Sequence, residues 1–107
     1  MRFSPLYKAH VFQGMRMFTI ISYDVVADKR RVKVAKLLAG YGKRVQYSVF
    51  ECDLGPQELI AIGRELRGLI DLNTDSVRCY RLDEAAVQRI AIYGIGTVTT
   101  QPTHYLV

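Results

Sequence analysis

The stretch Phe18-Thr19-Ile20-Ile21-Ser22-Tyr23-Asp24 decides how this chain is read. It is rich in β-branched and aromatic side chains and has the length of a buried strand. Its near-continuous apolar character argues for a central place in a sheet, covered on at least one face. The run ends in a carboxylate, Asp24, and a basic segment follows at once with Lys29, Arg30, Arg31, Lys33 and Lys36. An acid delivered at a strand end, beside a cluster of cations, suits a place where a metal ion and a phosphate backbone meet.

Working outward, the next segment has helical periodicity from Asp28, a candidate cap, to about Gly40. Val34, Leu37, Leu38 and Tyr41 recur at i, i+3, i+4, i+7, which is a core stripe. Lys29, Lys33 and Lys36 form a ridge on the opposite side, either an ordinary solvated face or a surface for a polyanion. Gly40 and Gly42 are expected to stop the helix. Arg31 breaks the division, because it shares a side with Ala35 and Leu38. Its head either reaches toward the end of the first strand, where Asp24 sits, or snorkels into water over an apolar stem.

Lys43 to Asp53 is an extended segment, with Val45, Tyr47 and Val49 on one face and Arg44, Gln46, Ser48, Phe50 and Cys52 on the other. It exceeds the usual strand length, so a bulge or a split into two strands around Gln46 to Ser48 is expected. A second helix starts after Gly55, with Pro56 at its first position and Glu58 in its first turn. Leu59, Ile62, Leu66, Leu69 and Ile70 give its buried stripe. Ser76 to Leu82 is a further strand, Asp83 to Arg89 a connector or short helical turn, and Arg89 to Tyr93 a candidate last strand, with Val98 to Thr100 able to pair with an edge. This order predicts an α+β fold, the ferredoxin-like βαββαβ plan with an extra C-terminal strand. One antiparallel sheet would carry both main helices on one face. A second copy of the chain would cover the other face, giving a homodimer packed through the sheets.

The 107 residues leave room for one domain. Met15 and Met17 directly precede the first strand, so residues 1–14 are taken as an upstream extension, a tag or an early start. Residues 15–96 form the domain and 97–107 a tail. Formal charge is +5, with seven of the fifteen Lys and Arg between Lys29 and Arg44 and no acid between Asp28 and Glu51. That local excess points to an anionic partner more strongly than the sum does. Cys52 and Cys79 lie in predicted strands without a CxxC spacing, which suggests free buried thiols in a reducing cytoplasm. His10 and His104 lie in opposite terminal segments, so no zinc constellation is visible. No apolar run approaches the ~20 residues of a membrane span, and no secretory signal is seen.

Tyr23-Asp24-Val25, the run Lys29-Arg30-Arg31-Val32-Lys33-Val34, Leu37-Leu38 before Tyr41-Gly42, and Val45-Gln46-Tyr47-Ser48-Val49-Phe50-Glu51 together resemble the small CRISPR-associated adaptation proteins (the Cas-two family). The resemblance covers about Met17 to Tyr93. It implies a ferredoxin-like homodimer and two activities. One is divalent-metal-dependent cleavage of RNA or duplex DNA. The other is a scaffold role beside the larger CRISPR integrase subunit during spacer acquisition. On matched positions Asp24 is the metal-binding aspartate, while Tyr23, Arg31, Arg44, Ser48 and Phe50 surround that site. Lys33 stands where some members carry Arg, which puts a bidentate phosphate contact there in doubt.

The expected cofactor is Mg²⁺ or Mn²⁺, which takes one or two carboxylates plus water and substrate phosphate. Two Asp24 residues meeting across a dimer axis would supply that set. Arg31 and Arg44 would then hold phosphate oxygens, Ser48 would donate a hydrogen bond, and Phe50 would pack the site. Lys29, Arg30, Lys33, Lys36 and Lys43 would face DNA or RNA. Two other functions fit the same residues: a toxin-like metal-dependent mRNA endoribonuclease, and a non-catalytic nucleic-acid-binding regulator on a versatile fold.

Overall fold

Seven elements follow one another in the computed structural model, which describes residues 16–99. They are β1 (Met17–Asp24), α1 (Asp28–Ala39), β2 (Gly42–Gln46), β3 (Val49–Leu54), α2 (Pro56–Leu69), β4 (Ser76–Leu82) and α3 (Glu84–Gln88). The four strands form one antiparallel sheet in the order β2-β3-β1-β4, so the two central strands are β3 and β1. This is the ferredoxin-like order. The extension over residues 1–14 and the end of the tail lie outside the described residues.

β1 is central because its odd positions from Thr19 onward are buried. Ile21 and Tyr23 join Val34 and Leu38 of α1, Phe50, Cys52 and Leu54 of β3, and Ile62 and Leu66 of α2 in one core. Leu37, Tyr41, Leu59, Leu69 and Ile70 pack against it, so both expected helical stripes face the same side of the sheet. Opposed residues of an antiparallel pair share a face. The register Ile20↔Glu51, Ile20↔Tyr80 and Asp24↔Ser76 therefore sets Ile20, Asp24, Glu51 and Tyr80 on the other, open face.

Local signals explain the element ends. In α2, Gly55 is the N-cap, Pro56 begins the helix, and the Glu58 carboxylate accepts from the Gly55 N–H at 2.9 Å. In α3, Asp83 accepts from the Ala86 N–H at 2.8 Å. The expected cap of α1 is corrected: Ala27 is its N-cap and Asp28 its first residue, because the Asp28 carboxylate turns to Arg31 instead of to a backbone N–H. Gly42 belongs to β2 and does not terminate the helix. Cys52 is buried as expected, and burial pushes its thiol up to about 11, whereas Cys79 is exposed because β4 is an edge strand.

The candidate strand over Arg89 to Tyr93 is not formed, and the described residues beyond α3 hold no strand. Gly94 and Gly96 take positive φ angles of 95° and 134°, which breaks an extended run. Tyr93 and Ile95 stand in solvent. Thr99 reaches β3 through a side chain, its N–H meeting a Glu51 carboxylate oxygen at 2.9 Å, so no ladder is extended there.

Asp75, in the turn before β4, is the knot between that turn and the connection from β1 to α1. Its side chain is fully shielded from water. It accepts from Arg30 Nε at 2.8 Å, from the Val26 N–H at 2.9 Å, and from the Asp71 N–H at 2.9 Å. The Arg30 guanidinium, helped by those two N–H groups, holds the Asp75 carboxyl well below the usual carboxylate range against the opposing effect of burial. A depressed folded-state pKa contributes stability that is complete above the unfolded value, about 3.9, and is lost as pH falls below it. The gap in urea midpoint between the wild type and Asp75→Asn is therefore expected to be widest above pH ~4 and to narrow toward pH 2. A gap constant across that range would mean the charge is not what stabilises the knot.

Candidate nucleic-acid interface and metal site

The β1 ladder delivers Asp24 to the end of the central strand, exposed, opposite Ser76 of β4. Among the described residues its carboxylate has no hydrogen-bond or ion-pair partner. In particular Arg31 does not reach it. The Arg31 head turns inward as the periodicity allowed, but it donates to the carbonyls of Val25 at 3.0 and 3.2 Å and of Val26 at 3.2 Å. A charge-assisted hydrogen bond to Asp28 at 2.5 Å completes its grip. Arg31 thus fastens the start of α1 to the residues just after Asp24.

The hairpin between β2 and β3 supplies the second arm of the site. A bulge between Arg44 and Gln46 shifts the alternation, so the expected common face of Val45, Tyr47 and Val49 is broken and Tyr47 falls in the turn. Arg44 folds over that turn. Its Nε and Nη2 donate to the Tyr47 carbonyl at 2.9 and 2.5 Å, and its guanidinium lies 5.4 Å from the Tyr47 ring and 5.8 Å from the Phe50 ring. Tyr23 locks the hairpin to β1: its N–H donates to the Ser48 carbonyl at 3.1 Å and its hydroxyl to the Tyr47 carbonyl at 3.4 Å. The Tyr23 and Phe50 rings stack with centroids 6.3 Å apart, which buries both beneath the site.

Tyr23, Arg31, Arg44, Ser48 and Phe50 are thus gathered around the Tyr47 turn near the end of β1, while the Asp24 side chain projects from the other face of the sheet and none of them contacts it. Lys29, Lys33, Lys36 and Lys43 are all exposed. Arg30 stands apart, because its guanidinium is engaged with Asp75. Two participants escaped the sequence reading. Tyr47 was hidden by the bulge, and the aromatic at the midpoint of an overlong strand was the available signal. Asp75 gave none, since Arg30 of α1 and the Val26 N–H lie 45 and 49 residues away in sequence.

No group of three or more His, Cys, Asp or Glu side chains gathers among the described residues. Asp24 is thus not part of such a group among the described residues, and a magnesium ion held there would need water, substrate phosphate or a second chain to complete its ligands. No helix of the described residues is long and apolar enough to cross a membrane.

A family model described as CRISPR associated protein Cas2 matches residues 17–90, from β1 through α3. The chain belongs to the Cas2 family. A Chloroflexus aurantiacus protein named CRISPR-associated endoribonuclease Cas2 3 is 59% identical over 93 residues, covering 87% of this chain and all of the relative. Streptococcus pyogenes Cas2 superposes with a TM-score of 0.66 at 41% identity, over 73% of this chain and all of that one. A chain of a partial Cas6-RT-Cas1–Cas2 complex superposes with a TM-score of 0.64 at 31% identity, over 71% of this chain and 89% of that one. The Cas2 likeness thus extends over the whole sheet and both main helices.

Proposed function

We propose that this chain is the nucleic-acid-binding member of a CRISPR adaptation complex, working as a homodimer beside an integrase subunit. The same surface would carry Mg²⁺- or Mn²⁺-dependent phosphodiester cleavage centred on Asp24. The observation that carries this reading is the exposed Asp24 carboxylate, without a partner among the described residues, at the end of a central strand, in a chain that also exposes a lysine ridge along α1. Membership of the Cas2 family, with endoribonuclease in a relative's name and Cas1 in a structural neighbour, supports it.

Asp24 lies on the open face of the sheet, so a two-fold pairing through that face would bring two carboxylates toward one ion. When bound, the metal supplies charge stabilisation at the phosphate and an acidified water. Arg31 and Arg44 now spend their donors on backbone carbonyls, and the fork of each suits a phosphate oxygen pair equally well. The Ser48 hydroxyl would donate to the same phosphate, while Phe50 and Tyr23 hold the floor.

The scaffold role rests on Lys29, Lys33 and Lys36. Their combined reversal to Glu is expected to weaken duplex DNA binding about a hundredfold at low salt. The slope of log affinity against log salt should shrink by roughly 0.9 for each phosphate that is no longer neutralised. Affinity and slope both unchanged would put the DNA surface elsewhere on the molecule. Spacer integration by Asp24→Asn separates the two roles, since the scaffold requires the lysines and not the carboxylate.

A further inference from the structure

Large aromatic rings are usually buried at least in part, yet Tyr47 is 70% exposed at the tip of the hairpin. Nothing about the tip is loose. The Tyr47 carbonyl accepts from Arg44 twice and from the Tyr23 hydroxyl, and Arg31 Nη1 donates to the Tyr47 hydroxyl at 3.4 Å. The ring is therefore fixed by its backbone, by its hydroxyl and by the Arg44 guanidinium 5.4 Å from its centroid. Such an arrangement holds one side of a π-face against a cation and leaves much of the ring in water. A ligand that lies flat on it meets a surface whose ordering cost has already been met by the fold.

We propose that Tyr47 is a stacking platform for one unpaired nucleobase whose phosphate is held by the neighbouring Arg31 and Arg44; this rests on the nucleic-acid reading above. The anchoring contacts set the geometry. Arg31 touches both the Tyr47 hydroxyl and the carbonyl of Val25, the residue after Asp24, so one guanidinium ties the base platform to the backbone turn that follows Asp24. A nucleotide bound there would place its base on Tyr47 and its phosphate between Arg31 and Arg44. Every base has a π-face, so the contact tolerates sequence. A base already stacked within a duplex cannot use it, so the platform favours an unpaired strand. The platform lies in a turn, which is why strand periodicity gives no sign of it.

The chain has no tryptophan, so Tyr47→Trp installs a single indole reporter. Titration in metal-free buffer with a single-stranded RNA, a single-stranded DNA and the matching duplex should quench that indole saturably for the unpaired strands and weakly for the duplex. Which single strand quenches at lower concentration identifies the preferred sugar. Inorganic phosphate should leave the emission unchanged. By fluorescence anisotropy of a labelled single strand, Tyr47→Ala is expected to bind about tenfold more weakly and Tyr47→Phe to bind within about twofold of wild type. An unquenched indole at concentrations where anisotropy shows the strand bound overturns the proposal, as does duplex quenching equal to that of the single strands. Wild-type protein that binds none of the three nucleic acids overturns the underlying reading, and the platform with it.

Discussion

Asp24→Asn is expected to lower Mg²⁺-dependent cleavage of RNA or duplex DNA by about a hundredfold or more, with little effect on folding. The substitution keeps the shape of the side chain and removes only its charge. Because the carboxylate is exposed and has no protein partner among the described residues, the fold gives up no internal interaction. A surface change of that kind moves stability by about ±0.5 kcal/mol, so an unfolding midpoint close to wild type is part of the expected result. Chelation of the metal should bring wild type down to the level of the variant, and adding Mn²⁺ should restore the wild type alone. Cleavage that survives Asp24→Asn would remove this carboxylate from the chemistry. Cleavage that survives chelation would remove the metal as well.

The sequence made the frame and the position of Asp24 readable for a physical reason. Ile21 and Tyr23 of β1, Val34 and Leu38 of α1, and Ile62 and Leu66 of α2 are buried by period alone, and period is local. The strand Ser76–Leu82 and the start of α2 at Pro56 follow from equally local signals. What could not be read depends on partners far along the chain. Asp75 looks like any turn acid until Arg30 of α1 and the Val26 N–H of the loop before it arrive from 45 and 49 residues away. Arg31 lies on the side that periodicity assigns it, yet its partner is decided by two carbonyls of the loop after β1. The split expected around Gln46 to Ser48 is observed, yet the register shift between Arg44 and Gln46 that turns Tyr47 off its expected face depends on the partner strand. The site is thus half visible beforehand: its charges are in the sequence, and the contacts that aim them are not.

Gly42 tests the other half of that statement, because it and Gly40 look alike in sequence and are opposite in structure. Both were natural candidates to end a helix. Gly40 is the C-cap of α1 with an ordinary right-handed φ of −76°, and a Cβ there would meet only the Leu37 carbonyl, at 3.4 Å. Gly40→Ala is accordingly expected to be tolerated, or to gain a few tenths of a kcal/mol by restricting the unfolded chain. Gly42 lies opposite Cys52 in the β2–β3 ladder, where a Cβ would overlap the Cys52 Sγ and the Glu51 carbonyl and come within 2.9 Å of the Cys52 Cα. Two of those three obstacles are backbone of a central strand, which cannot rotate away. Gly42→Ala is expected to cost about 3 kcal/mol, the upper end for overpacking, and to lower the melting temperature by about 10 °C or more. Cys52→Ala in the same chain should recover only part of the stability, because it clears the sulfur and leaves the backbone overlap. The strain falls on the hairpin that carries Arg44 and Tyr47, so nucleic-acid binding should weaken in Gly42→Ala at temperatures where the fold still holds. Equal melting temperatures for the two alanine variants would mean that β2 does not approach β3 as closely as this register requires.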